Sequence, residues 1–200
     1  VDDIVRQAIA KWPNVPHCYG WLSLDARGNW RMRDERAQAL GLRGDRIANP
    51  ALLGFINRNY TCDDRGRWYF QNGPQRVYVS LEATPYIART DAAHGFVLHT
   101  GESLVDIDDI WLTDAGHLVV QNGEKIAQLD DRDMAQCLGR LRFANIKTTD
   151  EDLLTWLERR GGIGDLTFDH GGQQIAVRYI EQGAIPAYFD FVSKPAPAQP

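Results

Sequence analysis

The residues with the clearest chemical potential lie in the stretch LVDIDDIWLTDAG, residues 104–116. Two carboxylates spaced Asp106-x-Asp108 behind an apolar pair are suited to phosphoryl transfer. Such a pair could act as nucleophile and as acid and base. Here a hairpin pattern follows at once and only about 85 residues remain. The expected setting is an edge strand whose solvent face carries Asp106 and Asp108. The pair is therefore held as an alternative acidic site.

Other reactive side chains are scattered. His94 and His99 are five apart with no third ligand nearby, and the adjacent His17 and Cys18 point apart in a strand. No Cys-x-x-Cys or His-Glu-x-x-His spacing occurs, so neither a metal nor a cofactor is expected. Cys62 precedes Asp63 and Asp64, whose charge disfavours a thiolate, and Cys18 and Cys137 read as small buried hydrophobes. GGIGDL at 161–166 has no strand before it or helix after it, and reads as a helix stop rather than a phosphate loop. What remains is aromatic. Trp68, Tyr69, Phe70 and Tyr78 fall on two strands expected to pair, with Arg76 beside them. On the non-core face Tyr69, Arg76 and Tyr78 are candidate ligand contacts, since Tyr and Arg are typical binding residues. The competing reading, packing under a neighbouring element, is the commoner one.

Composition bounds the function classes. The chain has 200 residues, 44% hydrophobic and 24% charged, with a net charge of -5. That is an ordinary globular balance, and it gives no electrostatic reason to expect nucleic acid or anionic lipid as partner. No apolar run approaches the roughly 20 residues that cross a bilayer. Three widely spaced cysteines suit a reducing cytoplasm. The 22 basic residues are 18 Arg and 4 Lys, a bias expected of a GC-rich bacterial genome. Arg27, Arg31, Arg33, Arg36, Arg43 and Arg46 form the densest run, and Asp25, Asp34, Glu35 and Asp45 offset most of their charge.

The elements that must position these residues are mainly short strands. Residues 2–11 carry a helical apolar face at Ile4, Val5, Ala8 and Ile9. GWLSLDARGNWRMR reads as a hairpin turning at Asp25–Gly28, and Asn49-Pro50 opens a second helix. From 60 to 129 strand follows strand: RWYFQ, RVYVSLEA, YIART, GFVLHT, HLVVQ and KIAQL. In RVYVSL, Val77, Val79 and Leu81 alternate with Arg76, Tyr78 and Ser80, so one face is expected buried and the other partly wet. Asp64-Arg-Gly66-Arg-Trp68-Tyr-Phe70-Gln71-Asn72-Gly73 aligns without gaps on Asp114-Ala-Gly116-His-Leu118-Val-Val120-Gln121-Asn122-Gly123. Asp25-Ala-Arg-Gly28-Asn-Trp30 makes a third, degenerate start. The segments 64–79 and 114–129 are expected to be repeated hairpins. A helix opens at Asp130 or Asp131, and another at Thr149 with Asp152 in a capping box. Three strands, DLTFDH, QQIAVRYI and AYFDFV, should follow.

The fold expected is α+β, mainly antiparallel β, built of hairpins and meanders with an internal duplication and about four peripheral helices. Four segments are expected: 1–60, a β-rich core at 61–145, 146–192, and a disordered Pro- and Ala-rich tail at 193–200. From Trp12 to Leu141 the order of GWLSLDARGNWRM, NPALLGFINRNY and DDRGRWYFQNGPQRVYVSLEATPYIAR resembles a family of uncharacterised proteobacterial proteins of unknown function. The layout is also similar to a second such family, in which Asp-x-Gly-x-Trp hairpins, a helix and a Thr-Pro junction (here Thr84-Pro85) build two small β-rich units. Neither resemblance implies catalytic residues. The Asp106/Asp108 loop looks like that of haloacid-dehalogenase-type phosphatases, which would imply Asp106 attacking phosphorus, Asp108 as acid and base with Mg²⁺, and a small Mg²⁺-dependent hydrolase as the alternative. That family's loop ends a strand of a parallel α/β sheet followed by βα units with a Lys and further acidic ligands, a setting this chain lacks. The preferred expectation is a non-catalytic cytoplasmic module that binds a small molecule or a protein.

Overall fold

One kind of turn recurs along the chain and sets its hairpins. In the computed structural model, which describes residues 1–93, 95–161 and 166–197, Gly28 N donates to Asp25 O (3.0 Å) and Asp25 N to Asn29 O (3.1 Å). The same two bonds recur for Gly66 with Asp63 and Arg67, Gly101 with Leu98 and Glu102, and Gly116 with Thr113 and His117. The four glycines have φ of 77°, 67°, 90° and 80°, a left-handed conformation that suits glycine above other residues. A type I turn closed by such a bulge residue is a standard three-residue hairpin loop.

The chain divides into two units, Val1–Pro85 with Phe189–Pro200, and Tyr86–Tyr188. The first comprises α1 (Asp3–Lys11), β1 (Cys18–Leu24), β2 (Trp30–Met32), α2 (Glu35–Ala39), β3 (Asp45–Arg46), α3 (Pro50–Arg58), β4 (Tyr60–Cys62), β5 (Trp68–Asn72) and β6 (Gln75–Leu81). Its sheet has the order β3-β2-β1-β6-β5-β4. Only the β1–β6 pairing is parallel. Helix α3 begins as its sequence dictates, with Pro50 in the first turn and Asn49 Oδ1 accepting from Leu52 N (3.0 Å). It sets Phe55 edge-on to Phe70 at 5.3 Å and buries Ile56. Asn57 Oδ1 accepts from the indole of Trp30 (2.8 Å), which packs edge-on to Tyr60 at 5.0 Å. The C-terminal segment is tied to this unit, Val192 N donating to Gly66 O (2.9 Å) and Leu81 N to Ser193 O (2.7 Å).

The second unit comprises β7 (Tyr86–Asp91), β8 (Gly95–Leu98), β9 (Ser103–Leu104), β10 (Asp109–Thr113), β11 (Leu118–Asn122) and β12 (Lys125–Leu129). A 3₁₀ turn, Asp131–Asp133, runs into α4 (Met134–Leu138), followed by β13 (Leu141–Phe143), β14 (Ile146–Lys147), α5 (Asp150–Glu158), β15 (Leu166–His170), β16 (Gln173–Ile180) and α6 (Ile185–Tyr188). Its first six strands repeat the earlier sheet, in the order β9-β8-β7-β12-β11-β10. The registers coincide as well. Tyr60↔Phe70, Phe70↔Val77 and Asn72↔Gln75 become, fifty residues on, Ile110↔Val120, Val120↔Ala127 and Asn122↔Lys125. The hairpin pair Leu22↔Met32 becomes Ala88↔Leu98. Gln71 and Gln121 each donate to the carbonyl of the turn glycine, Gly73 or Gly123, at 2.8 and 2.9 Å. The repeat legible as one hairpin is thus six strands wide.

The second unit then extends its sheet to ten strands through the parallel pair β10–β16. The sheet curls. Phe96 of β8 stacks on Phe168 of β15 at 6.5 Å although five strands lie between them in sheet order. Ile110, Leu112, Leu118, Val120, Leu129 and Leu141 fill the enclosed core.

Several expectations change. AYFDFV is not a strand: Ile185–Tyr188 is a helical turn that accommodates Pro186, and Asp190 turns the chain with φ of 53°. Two short helices, α2 and α6, join the four expected. The segment boundaries at 60 and 145 fall inside the units, because β1 pairs with β6 and α5 belongs with β7–β12. The capping box at Thr149 is present. Beyond the end of α5 the chain is left-handed at Arg160 (φ 54°) and at Gly161 (φ 76°), with Gly161 N bonding to Trp156 O. Residues 162–165 and 198–200 lie outside the described residues.

The repeated turns make a paired test. A Cβ on Gly116 would meet nothing within 4 Å, whereas one on Gly66 would lie 2.0 Å from Asp190 O. Gly116→Ala should cost only the left-handed penalty, about 1–2 kcal/mol. Gly66→Ala should cost clearly more in urea unfolding. Equal losses would show that the 189–192 segment does not press on that turn.

Candidate functional site

The face chosen from sequence is assembled, but as packing. Tyr69 and Tyr78 are cross-strand partners with rings 5.6 Å apart, and the Arg76 guanidinium lies 4.6 Å over Tyr69. Tyr19 of β1 stacks on Tyr78 at 4.7 Å, and His17 meets it edge-on at 5.7 Å. Tyr78 is 1% exposed and Tyr69 8%, so that face of β6 is not wet at Tyr78. Asp63 anchors the group. Its Oδ2 accepts from Tyr78 Oη (2.9 Å) and Arg67 Nε (2.9 Å), and its Oδ1 from the Arg65 and Arg67 backbone N–H groups. Burial resists its ionisation, but these hydrogen bonds prevail and hold its pKa at about 2. Burial pushes the Tyr69 and Tyr78 hydroxyls up, so both are neutral phenols near pH 7.

The acidic pair is placed differently from expectation. Asp106 and Asp108 are exposed in the connection between β9 and β10, ahead of a strand rather than at the end of one. They do not lie on an edge strand, and β10 is internal to its sheet. Asp108 Oδ2 accepts from Gly123 N (2.7 Å), bracing the adjacent Asn-Gly turn. Among the described residues no three His, Cys, Asp or Glu side chains converge as metal ligands. His94 lies outside the described residues. His99 is buried, and burial lowers its pKa to about 3. The three cysteines form no disulfide. Cys62 is exposed, Cys18 half-buried, and burial pushes the Cys137 thiol up to about 11. The arginine-rich run is bonded within itself by Arg31 on Asp25 (2.7 Å) and Arg33 on Leu42 O (3.0 Å), and to the residue following β6 by Arg43 on Glu82.

The concavity with convergent polar groups is one that sequence did not indicate. A cleft of about 750 Å³ in the second unit is lined by residues from four places. Arg89, Thr90 and Asp91 end β7, Asp133 and Gln136 belong to the 3₁₀ turn and α4, Arg140 follows α4, and His170 ends β15. Asp133 is the hub of one wall. It takes a two-point bond from Arg89 (2.7 and 3.0 Å), and bonds from Thr90 N (2.8 Å) and Thr90 Oγ1 (3.0 Å). The Arg89 bond, with Thr90, holds its carboxyl below the usual range. Gln136 Oε1 lies 3.0 Å from Thr90 Oγ1. On the other wall Arg140 lies over Phe168 at 4.4 Å and bonds to Asp169 O (2.7 Å) and His170 Nδ1 (3.0 Å). His170 Nε2 bonds to Val105 O (2.6 Å). A carbonyl only accepts and a guanidinium only donates, so His170 is the neutral tautomer protonated at Nε2. Gly95 faces this ring, and a Cβ there would lie 2.4 Å from it. A second concavity of about 470 Å³ lies around α2, and there Asp34 caps the helix and Arg43 pairs with Glu82.

Fold and site together define an α+β protein of two strand-rich units with a duplicated six-stranded sheet and a polar cleft in the second unit. The chain belongs to the DUF2944 family, described as "Protein of unknown function (DUF2946)", whose model matches residues 1–196. Its fold is similar to the crystal structure of a DUF1285 family protein from Silicibacter pomeroyi DSS-3, with TM-score 0.51 and 15% identity over 89% of this chain and 96% of that one. A DUF1285 family protein from Shewanella baltica OS155 aligns with TM-score 0.41 and 14% identity, over 58% of this chain and 88% of that one. No curated protein matches the chain.

Two outcomes are expected on the tyrosine face. Val79 is fully buried, and Val79→Ala should cost roughly 1–3 kcal/mol by leaving a cavity. Arg76→Ala should cost about 0.5–1 kcal/mol, the worth of its ring contact. Melting curves showing equal losses would make Arg76 part of the core. The second outcome concerns pH. A carboxyl whose pKa is about 2 when folded, against an ordinary 3.8, contributes stability above pH 3.8 that is lost as pH falls towards 2. Asp63→Asn lacks that contribution at every pH. The unfolding midpoints of wild type and Asp63→Asn should therefore converge between about pH 4 and 2. A constant gap would deny Asp63 its depressed pKa.

Proposed function

We propose that this protein is a non-catalytic binding module whose ligand is a small polar molecule held in the cleft of the second unit. The observation that supports this most strongly is the cleft's construction. Its volume of about 750 Å³ is within the usual range for small-molecule sites, and its polar groups converge from separate elements. Those groups are also locked. Asp133 fixes Arg89 and Thr90, and Phe168, Asp169 and His170 fix Arg140, so little side-chain entropy remains to be lost on binding. The tyrosine face is the weaker candidate, because Tyr69 and Tyr78 already spend their surface on neighbouring rings. Three cysteines without a disulfide and the absence of any described helix long and apolar enough to cross a membrane support a cytoplasmic setting. The net charge of -5 supports a partner other than nucleic acid.

A thermal-shift screen of polar metabolites tests this, because a ligand that binds only the native state raises the melting temperature by mass action. Ala92 is exposed and lines the cleft. Ala92→Trp should abolish the shift caused by any hit while leaving the unliganded melting temperature within about 1–2 °C of wild type, as exposed substitutions usually do. A hit that stabilises both proteins equally would place the ligand elsewhere.

A further inference from the structure

The walls of the cleft differ in charge balance, and that difference specifies what it takes. Among the described residues Arg89 sits on Asp133, Arg132 on Asp130 and Arg142 on Asp169. Arg140 has a carbonyl and a neutral imidazole as its polar partners and the rings of Phe168 and Phe96 beneath it, at 4.4 and 5.7 Å. It is a half-buried cation in a concave site whose bonded partners carry no negative charge. Its geometry is equally specific. Nε and Nη2 share one edge of the guanidinium plane, and that edge is committed to Asp169 O and His170 Nδ1. Among the described residues no bond is made to the outer edge, formed by Nη1 and the second Nη2 hydrogen, so it offers two parallel N–H donors, the fork that matches two oxygens of an oxyanion. Stacking on Phe168 prevents the plane from turning, and His170, itself fixed by Val105 O, holds the fork in place. Gln136 lines the same cleft, with Oε1 beside Thr90 Oγ1 and an amide nitrogen to serve as a further donor.

We infer that the cleft binds a small molecule through an oxyanion group, a carboxylate or a phosphate monoester, seated on the outer edge of Arg140. This rests on the cleft being the binding site.

The experiment follows the Nε–Hε signals of the arginines by ¹H–¹⁵N correlation in the full chain. Inorganic phosphate, succinate and succinamide are added in turn at constant ionic strength. Phosphate and succinate are expected to shift the Arg140 signal saturably, and succinamide to leave it in place. The source is read from whether phosphate or succinate binds more tightly. Arg140→Met should weaken binding at least tenfold, and Arg140→Lys, which keeps the charge but loses the fork, should fall between. Because Arg140 also supports Phe168 and Asp169, a second variant leaves those contacts intact. Ala93 is exposed at the cleft, and Ala93→Glu should weaken the anions several-fold while Ala93→Lys strengthens them. Anion binding unchanged in Arg140→Met and Ala93→Glu would overturn the inference. So would a neutral compound that binds in the cleft as well as its acid, which would leave the cleft as a binding site. If no probe and no metabolite binds wild type, both readings fall.

Discussion

The parallel pairing of β1 with β6, and of β7 with β12, is the constraint on which both units depend. Hairpins and meanders form from neighbours in sequence, but a hairpin alone buries too little to be stable. Leu22↔Val79 and Ala88↔Leu129 join one three-stranded antiparallel segment to a later three-stranded meander and close a six-stranded sheet. Parallel neighbours need a crossover, and the intervening chain supplies it. In the first unit that chain includes α2 and α3. In the second it is shorter and lacks helices between β9 and β10. The pairing is the same, so the topology tolerates a helix in the crossover without requiring one.

The elements closest to local chemistry were legible from sequence. Asp-x-x-Gly and Asn-Gly mark turns whose φ values admit glycine with little alternative, and the structure has the turns there. Asn49-Pro50 and Thr149–Asp152 cap helices through side chains two or three residues from the groups they satisfy. The alternation in RVYVSL gave the core face of β6 correctly, since a period of two needs no knowledge of partners. The opposite face is partly wet as expected at Arg76 and Ser80, but Tyr78 is buried because it is covered from β1, more than fifty residues earlier in the chain. AYFDFV misled for a related reason. Its alternating aromatics suit a strand, but no partner edge is presented there, and Pro186 and Asp190 impose the local geometry instead.

The cleft was illegible for a deeper reason. Arg89 and Asp133 are 44 residues apart, Arg140 and His170 are 30 apart, and none of the four stands in a motif. Each looks like an ordinary surface residue until the curled sheet brings β15 against β8. The Asp130–Asp133 run carries a faint signal, because so many acids at a strand end must either cap a helix or meet cations. Both occur: Asp130 accepts from Arg132 N (3.0 Å) at the head of the turn, and Asp133 meets Arg89.

Comparing the two copies shows where the molecule departs from mere scaffold. The parallel neighbours Ser23 and Ser80 in the first unit correspond by register to Arg89 and Asp130 in the second, which lie 3.8 Å apart. A fully buried carboxylate with a half-exposed Arg is a costlier way to hold two strands together than a pair of serines, because desolvation offsets much of the attraction. Stability does not account for the exchange. Of the two, Arg89 lines the cleft beside Asp133, and further polar groups come from what the second unit alone possesses: α4 with Arg140 behind it, and the β15–β16 hairpin that carries His170. The duplicated sheet thus serves one unit as a packed platform. In the other the same platform is extended and curled until its appended strands face its first hairpin, and the polar groups that duplication did not supply collect in the gap between them.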